Sequence, residues 1–313
     1  MSTTYSDEST MPKPLVYKPL TRHRVLPLQI YGYLLVLPAL VFLIMFTHYP
    51  AVATMWESLF SAARNGHPAQ FVGLENYQSL LDDDTFILSL RNNLLYAVIT
   101  IPLAVGLALL MALAVNRRLR GNSFIRAAFF IPSLLPMVAI ANLWLFFYTP
   151  QLGLLNKLLA LFSLPAVNWL GDPHTALYSL MAVSVWREAG FFMIFYLAAL
   201  QQIDPRLAEA ADIEGASRIY FFRKIQWPLL MPTTLFILIN ASMNAFRIVD
   251  QVIAMTNGGP DNSTSLLLFY IYRTAFSYWD LPYASAMTVV LLVILGSIAL
   301  IKFNLMDKRA HYQ

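Results

Sequence analysis

The side chains of this sequence with the greatest potential for chemistry lie inside long apolar runs. Arg187 and Glu188 follow Trp186 in one of these runs. Neighbours on a helix point about 100° apart, so these two groups cannot simply pair on one face, and at least one is expected to find a partner on another helix. Ionisable groups at membrane depth face a bundle interior or a cavity. Structural pairing or snorkelling, and the lining of a solute path, both stay open for them.

A second polar set follows in a later apolar run. Asn240, Asn244, Arg247 and Gln251 recur at spacings of four, three and four, which predicts one polar stripe on a helix. Asp250 lies three residues from Arg247 and can pair with it. Amide and guanidinium donors at a fixed pitch suit hydroxyl-rich or anionic solutes. The alternative function of such a stripe is to hold two helices together.

Other kinds of chemistry have little support in the sequence. Cysteine is absent, which excludes disulfides and thiolate sites. The five histidines are scattered, so no metal site is expected. No Ser-His pair, His-Glu-x-x-His helix, carboxylate dyad or Gly-rich phosphate loop is visible. We therefore expect neither an enzyme nor a resident cofactor, and any ATP that drives this protein must bind to another chain.

Composition places the chain in a lipid bilayer. Of its 313 residues 58% are hydrophobic and 12% are charged, and the mean hydropathy is +0.58. A bilayer core needs roughly 20 apolar residues per helical span. The predicted fold is an all-α integral membrane protein with residues 1–28 as an N-terminal tail, 29–303 as the transmembrane domain and 304–313 as a C-terminal tail. Its six predicted spans are Ile30–Thr47, Leu94–Val115, Ala127–Tyr148, Ala176–Leu200, Leu229–Phe246 and Tyr283–Phe303.

The distribution of basic residues predicts the orientation. Cytoplasmic loops of membrane proteins collect Lys and Arg, and the loops and tails on one side hold 15 of them against 4 on the other. Both termini are therefore expected in the cytoplasm. The net charge of +4 is explained by this bias, and nucleic acid is not an expected partner. The loops on the other side are Tyr49–Asn93, Thr149–Thr175 and Arg247–Pro282.

The predicted cytoplasmic loop at residues 201–228 has helical signals of its own. Asp204 can cap a helix that starts at Pro205, and Gly215 can end it in a left-handed conformation. Ser217 can cap a second helix, Arg218–Gln226, which leads into the fifth span. Small residues and carboxylates on the first helix suggest a docking surface. The alternative is an amphipathic linker that rests on lipid headgroups.

The same loop carries a resemblance to a known family. Glu209, Ala210, Ala211, Gly215, Ile225 and Pro228 resemble the EAA---G---------I-LP signature of bacterial ABC importer permeases, with Trp227 in place of the usual Leu. Three further segments resemble the carbohydrate-uptake branch, which includes the maltose and glycerol-3-phosphate permeases: Phe71–Tyr77, Ala199–Pro205 and Thr256–Pro260.

The resemblance implies a permease in a bacterial inner membrane that moves a sugar, polyol or glycerol phosphate. Its implied partners are a second permease in a heterodimeric pore, two ATPase subunits that bind ATP and magnesium, and an extracytoplasmic solute-binding protein. The six signature residues would contact the ATPase. The turn Asn257, Gly258, Gly259, Pro260 is either a tight loop or a contact with the binding protein. The competing hypothesis is a stand-alone secondary transporter or channel, for which no inverted repeat is visible.

Overall fold

A computed structural model describes residues 28–63, 68–116 and 122–307. The regular elements in these ranges are helical, apart from one isolated antiparallel bridge between Phe60 and Phe71. The predicted tails lie largely outside these residues. In chain order the helices are α1 (Leu28–Leu43), α2 (Tyr49–Glu57), α3 (Glu75–Leu81), α4 (Asp84–Val115), α5 (Asn122–Leu134), α6 (Met137–Tyr148), α7 (Leu154–Leu161), α8 (Ala176–Gln202), α9 (Pro205–Ile213), α10 (Arg218–Phe221), α11 (Trp227–Ala245), α12 (Asp250–Met255), α13 (Leu267–Phe276) and α14 (Leu281–Asp307).

The predicted all-α membrane class is confirmed. In the described ranges five helical segments are long and apolar enough to cross a bilayer, and a bent pair of helices raises the number to six if it counts as one span. The five segments are Gly32–Glu57, Asp84–Val115, Ala176–Gln202, Arg218–Ala245 and Leu281–Ile301.

The third span differs from the single helix predicted at Ala127–Tyr148. The segments Ser123–Leu134 and Met137–Tyr148 meet at an angle of 103°. Pro136 lacks an amide donor and disfavours a helical conformation for Leu135, so α5 ends at Leu134 and Pro136 becomes the N-cap of α6. Pro132, in contrast, lies inside α5.

The first span continues from its predicted end at Thr47 to Glu57. Two other span boundaries differ from the predictions because polar residues extend the helices. The second span begins at Asp84 and not at Leu94, because the Asp83 carboxylate caps α4 by accepting from the amides of Thr85 and Phe86 at 2.9 and 3.0 Å. The fifth span is continuous with the helix predicted before it, from Arg218 to Ala245. Hydropathy alone does not detect such polar ends.

The chain divides into two compact units, residues 1–52 and 53–313. In the first unit α1 runs into a π-helical turn at Ile44–His48, which is followed by the start of α2 and Pro50. In the second unit α10 runs into a π-helical turn at Phe222–Gln226, which Pro228 follows. In both places the residue before the proline donates to a carbonyl five residues back, and the wider turn accommodates the proline ring.

The core of the second unit is built on α4 and α8, which lie along each other, and α11 joins them. Ala104, Ala108 and Ala112 recur every four residues on α4 and are fully buried. Small residues at this spacing let helix backbones approach closely in a membrane. At Gly190 α8 approaches α5 so closely that a Cβ atom would meet the carbonyl oxygen of Phe129.

The start of α4 is fixed by side chains that we call the polar lock: Asp83, Ser89, Asn92 and Asn93. Asn93 is 1% exposed, donates to the Ala245 carbonyl at 3.1 Å and accepts from the Leu267 amide at 3.2 Å. Asn92 donates to the carbonyls of residues 262 and 265, and the Ser89 and Ser265 hydroxyls are 2.8 Å apart. These bonds join α4 to the segment before α13 and to the end of α11.

Asp83 connects the polar lock to two further helices. Its Oδ2 atom accepts from the hydroxyls of Tyr270 on α13 and Tyr283 on α14, at 2.8 and 2.9 Å. Burial raises the pKa of Tyr270, and the hydrogen bond to Asp83 raises it further. The Tyr270 phenol therefore remains a donor at physiological pH, and the carboxylate keeps both partners.

Candidate functional site

A cavity of about 500 Å³ opens between α6, α8 and the end of α11. All six residues predicted to line a solute path lie on it: Arg187, Glu188, Asn240, Asn244, Arg247 and Asp250. We call this cavity the charged cavity. The rest of its lining is Ser133, Met137, Ser184, Phe191, Ile248 and Gln251.

One face of α8 supplies a wall of the charged cavity. Ser184, Arg187, Glu188 and Phe191 stand at positions i, i+3, i+4 and i+7, so they share that face. The angle between the two charged neighbours predicts that at least one of them reaches another helix, and in the structure both do. Arg187 Nη1 lies 3.9 Å from the sulfur of Met137 on α6, and the Glu188 carboxyl group interacts with the side chain of Asn244.

The opposite wall of the charged cavity differs from the predicted stripe. Helix α11 ends at Ala245, so Asn240 and Asn244 lie on a helix while Arg247 lies in the turn that follows. The break has a visible cause, because the Ala245 carbonyl accepts from the polar-lock residue Asn93 and the Arg247 amide donates to the Asn244 carbonyl. The turn nevertheless brings all three side chains to the same cavity.

The predicted pair of Arg247 and Asp250 is wrong, because the helix break removes their i, i+3 relationship. Asp250 begins α12, where its Oδ1 atom accepts from the amide of Gln251 at 2.9 Å. Gln251 itself is 2% exposed and has a structural role. The Oε1 atom of its side chain accepts from the Ser184 hydroxyl at 2.6 Å, and its Nε2 atom donates to the Leu180 carbonyl at 2.8 Å.

The cavity contains two guanidinium groups and two carboxyl groups. They belong to Arg187 and Arg247 and to Glu188 and Asp250, and within the described residues no salt bridge joins any of these four groups to another, although Arg187 and Glu188 attract each other electrostatically. Guanidinium groups only donate hydrogen bonds and carboxylates only accept them. A polar solute in the cavity would therefore meet donors and acceptors, with the Asn240 and Asn244 amides supplying more of both.

Sequence reasoning did not select Ser133 and Ser184 as cavity residues. Ser184 could have been found, because it is one helical turn before Arg187 and Glu188. Ser133 has no such signal, since its position depends on the break between α5 and α6. Its hydroxyl donates to the Phe130 carbonyl at 2.7 Å.

The loop that carries the family signature folds into α9 and the start of a second helix. The Asp204 carboxylate accepts from the Arg206 amide at 2.9 Å, and Pro205 occupies the first turn of α9. Gly215 has φ +71°, and the Ala216 amide donates to the Ala211 carbonyl at 2.9 Å. This is the glycine-ended termination that the sequence predicts. Ser217 then caps the next helix by accepting from the Tyr220 amide.

The signature residues differ in how they are presented. Glu209 and Ala210 are exposed on α9, whereas Ala211 is only 7% exposed and faces away from solvent. Ile225 is half-buried and Pro228 is exposed. Trp227, which replaces the leucine of the signature, places its ring 6.2 Å from the ring of Phe222.

The predicted turn at Asn257–Pro260 follows α12. Asn257 and Gly258 have φ values of +49° and +85°, and the Gly259 amide donates to the Thr256 carbonyl at 3.0 Å. Thr264 donates to the Gly259 carbonyl at 2.8 Å and holds the turn. Asn257 is exposed, while Gly258 is buried against the Phe269 ring. In the part of the chain that the structure describes, no group of three His, Asp or Glu residues could hold a metal ion.

Comparison with known proteins identifies the family. A family model described as binding-protein-dependent transport system inner membrane component matches residues 104–312. The sn-glycerol-3-phosphate transport system permease protein UgpA of Agrobacterium fabrum (strain C58) is 33% identical over 291 residues, which are 92% of this chain and 98% of the relative. The probable ABC transporter permease protein YurN of Bacillus subtilis (strain 168) is 34% identical over 280 residues, 88% of this chain and 96% of the relative.

The fold has relatives among solved structures. A chain in the crystal structure of a bacterial alginate ABC transporter, in complex with an alginate pentasaccharide-bound periplasmic protein, aligns with a TM-score of 0.80 and 23% identity. The alignment covers 91% of this chain and 96% of that chain.

Fold and site together define a multi-pass membrane permease. The chain belongs to the family of binding-protein-dependent transport system inner membrane components, and it is the permease subunit of a bacterial ABC importer. The resemblance inferred from the EAA loop is thereby confirmed. Family membership also favours the importer over a stand-alone secondary transporter or channel.

Proposed function

We propose that this permease moves a sugar or sugar-like solute from an extracytoplasmic binding protein into the cytoplasm. The observation that carries the proposal is the charged cavity, where two guanidinium groups, two carboxyl groups and two side-chain amides line an open space among apolar helices. Ionisable groups are costly at membrane depth and are kept there for function. The names of the relatives agree with a polar solute, since UgpA carries sn-glycerol-3-phosphate in its name and the structural relative is an alginate transporter.

Cavity chemistry supports a solute with many hydroxyl groups. A hydroxyl both donates and accepts, so it can bind a guanidinium group through its oxygen and a carboxylate through its proton. Arg187 and Glu188 offer such a donor and acceptor side by side, and the amides of Asn240 and Asn244 extend the set along α11. A sugar or polyol would satisfy these groups at the depth where water is excluded.

A second permease completes the pathway in this proposal. Arg247 and Asp250 are exposed although they line the cavity, and Phe191 is 40% exposed beside them. Charged groups in a bilayer require a partner or water. A heterodimer would cover this open side and contribute the remaining solute contacts.

ATP is bound and hydrolysed by two partner ATPase subunits, and α9 transmits their movement. Glu209 and Ala210 are exposed on a short capped helix, so a carboxylate and a smooth backbone are available to a basic groove. Rigid-body closure of the ATPase pair would move whatever is docked between them. Asn257 and the glycine turn beside it are proposed to meet the binding protein on the opposite side.

Two experiments test the proposal. The chain is first purified in detergent, where we expect an ATPase subunit and a second permease to copurify. The assembled complex is then reconstituted with the binding protein, and uptake of sugars, polyols and glycerol phosphate is measured with and without ATP. Uptake that needs neither ATP nor partner subunits would contradict the proposal.

The proposed topology has a separate test. Both termini lie in the cytoplasm if the bias of basic residues sets the orientation. Cysteines at positions 65 and 262 should react with an impermeant thiol reagent in intact cells, whereas cysteines at positions 5 and 311 should not. The reverse pattern would overturn the orientation.

A further inference from the structure

The helix that leads into the fifth span begins with a surface that contains none of the six signature residues. Ser217, Ile219, Tyr220, Arg223 and Lys224 line a shallow pocket of about 480 Å³, which we call the basic face. The Arg223 and Lys224 side chains are exposed. The pocket lining contains no acidic residue.

The cations of the basic face have no partner in the described part of the chain. Neither Arg223 nor Lys224 forms an ion pair or a side-chain hydrogen bond there, and the same is true of Arg218. The carboxylates of this loop are on α9, before the left-handed turn at Gly215. The two halves of the loop therefore offer opposite charges.

A second pocket, with mixed lining, continues from the basic face. It has a volume of about 570 Å³ and lies between the end of α4 and α10, where apolar Leu113, Ile219, Phe221 and Phe222 stand beside polar Asn116, Arg218 and Gln226. Ile219 lines both pockets and is 72% exposed, while Tyr220 on the basic face is 56% exposed. Large apolar side chains this exposed on a soluble surface would be unfavourable.

The position of the basic face in the chain suits a combination of basic and aromatic side chains. The basic face forms the first turns of the helical segment Arg218–Ala245, which is long and apolar enough to cross a bilayer, so we expect this face near the membrane surface. Aromatic side chains are enriched at that depth, and long basic side chains extend from it to the headgroups. An ATPase groove suited to the carboxylates of α9 would not also suit this cationic surface.

We propose that the basic face binds the headgroup of an anionic phospholipid, with an acyl chain in the pocket lined by Leu113, Phe221 and Ile219. The proposal rests on the topology that places this loop in the cytoplasm, where the membrane surface is negative. The phosphate accepts from Arg223 and Lys224, and the apolar floor replaces contacts with water. The lipid would hold the start of the fifth span at a fixed depth.

The test compares lipid retention by matched variants of the assembled complex. Complexes are purified from nanodiscs of phosphatidylcholine with and without one quarter phosphatidylglycerol, and bound phosphatidylglycerol is counted by native mass spectrometry during titration. The variant R223Q/K224Q should bind about 30-fold more weakly, because each basic residue near an anionic surface contributes roughly a factor of five. The control R91Q/K157Q removes two exposed charges elsewhere and should bind like wild type.

A charge-conserving variant separates misfolding from loss of the site. R223K/K224R should retain phosphatidylglycerol, and its retention in a monodisperse complex supports the proposal. Equal retention by R223Q/K224Q and wild type would overturn it. If R223Q/K224Q retains lipid normally and loses the ATPase subunit, the proposal is also overturned, because the basic face would then be a contact with the ATPase. None of these measurements depends on uptake, so the lipid proposal can be contradicted without contradicting the proposed transport function, and the reverse.

Discussion

The polar lock and the charged cavity are both polar regions of an apolar helix assembly, yet they differ in how their groups are satisfied. Asn93 uses its carbonyl and its amide, and Asp83 accepts from two amides and two phenols. In the cavity, Arg247 and Asp250 are exposed, and no ion pair joins them. The polar groups of the first region bond to one another and to the backbone, whereas those of the second region line an open cavity.

This difference distinguishes polar groups that hold helices together from polar groups that are available to a solute. A buried polar group normally finds a partner within the protein, because an unpaired one costs free energy. A group that remains without one is suited to a partner that arrives and leaves. Changes in the polar lock should therefore reduce stability first, and changes in the charged cavity should reduce transport first.

The largest effect is expected for Asn93→Leu in the polar lock. The change leaves the Ala245 carbonyl and the Leu267 amide buried without partners. Each such group costs about 1–3 kcal/mol, so the loss of stability is about 2–6 kcal/mol. Thermal unfolding in detergent measures it, with Arg91→Leu as the control because Arg91 is exposed on the same helix. Equal melting of Asn93→Leu and wild type would remove the structural role of the lock.

The next effect is expected for Arg247→Ala in the charged cavity. Arg247 is exposed to the cavity and not packed in the core, so the complex should assemble and melt normally. Solute uptake should fall at least about tenfold, the loss expected for a charge-assisted hydrogen bond. The measurement is uptake per assembled complex in proteoliposomes, with Arg91→Ala as the control. Loss of the complex itself, with normal uptake by what remains, would favour a role in helix packing.

A more selective effect is expected for Glu188→Gln, which keeps the shape of the side chain and removes its charge. The cavity now balances two guanidinium groups against two carboxylates, and the change leaves a net positive cavity. Competition between glycerol phosphate and a neutral polyol should then shift about threefold to tenfold toward the anion. An unchanged preference would show that Glu188 does not face the solute.

The smallest effect is expected for Tyr283→Phe, which removes one of the two phenols that donate to Asp83. Tyr270 remains as a donor at 2.8 Å, and Tyr283 is only partly buried. The stability lost should be about 1 kcal/mol, the net value of a single hydrogen bond. The same melting assay measures it. A loss as large as that of Asn93→Leu would mean that Asp83, and not Asn93, is the main support of the lock.

Local chemistry explains which features the sequence predicted well. The caps at Asp204 and Ser217 and the left-handed Gly215 depend on residues within a few positions of one another, and they occur as expected. Hydropathy placed the fourth span within two residues, because apolar residues dominate it on both sides of Arg187 and Glu188. The EAA signature identified the family because it combines short-range helix signals with a predicted position between two apolar spans.

Features that depend on distant contacts could not be read from the sequence. At the helix break after Ala245 the Ala245 carbonyl accepts from Asn93, which is 152 residues away, and the break displaces Arg247 and Gln251 from the expected stripe. The 103° bend at Leu135 and Pro136 replaces a predicted single helix, since a proline in a sequence does not specify the angle of a bend. The charged cavity is assembled by these two breaks, so its residues were predicted but its shape was not.

The claim that this permease is driven by an ATPase through α9 has the most direct test in reconstituted complexes. Glu209→Lys, Glu209→Ala and Gly215→Val are compared with wild type and with the exposed control Arg91→Gln. ATPase retention and ATP-dependent uptake are measured on the same samples. Gly215 has φ +71°, so a β-branched residue there is strained and should misorient α9 with every contact group still present.

We expect Glu209→Lys to lose more ATPase subunit than Glu209→Ala, because the lysine places a cation against a basic groove. We expect Gly215→Val to lower solute-stimulated hydrolysis and uptake together, while Arg91→Gln behaves like wild type. If Glu209→Lys and Gly215→Val both keep the ATPase bound and transport solute at the wild-type rate, α9 does not couple the permease to the ATPase.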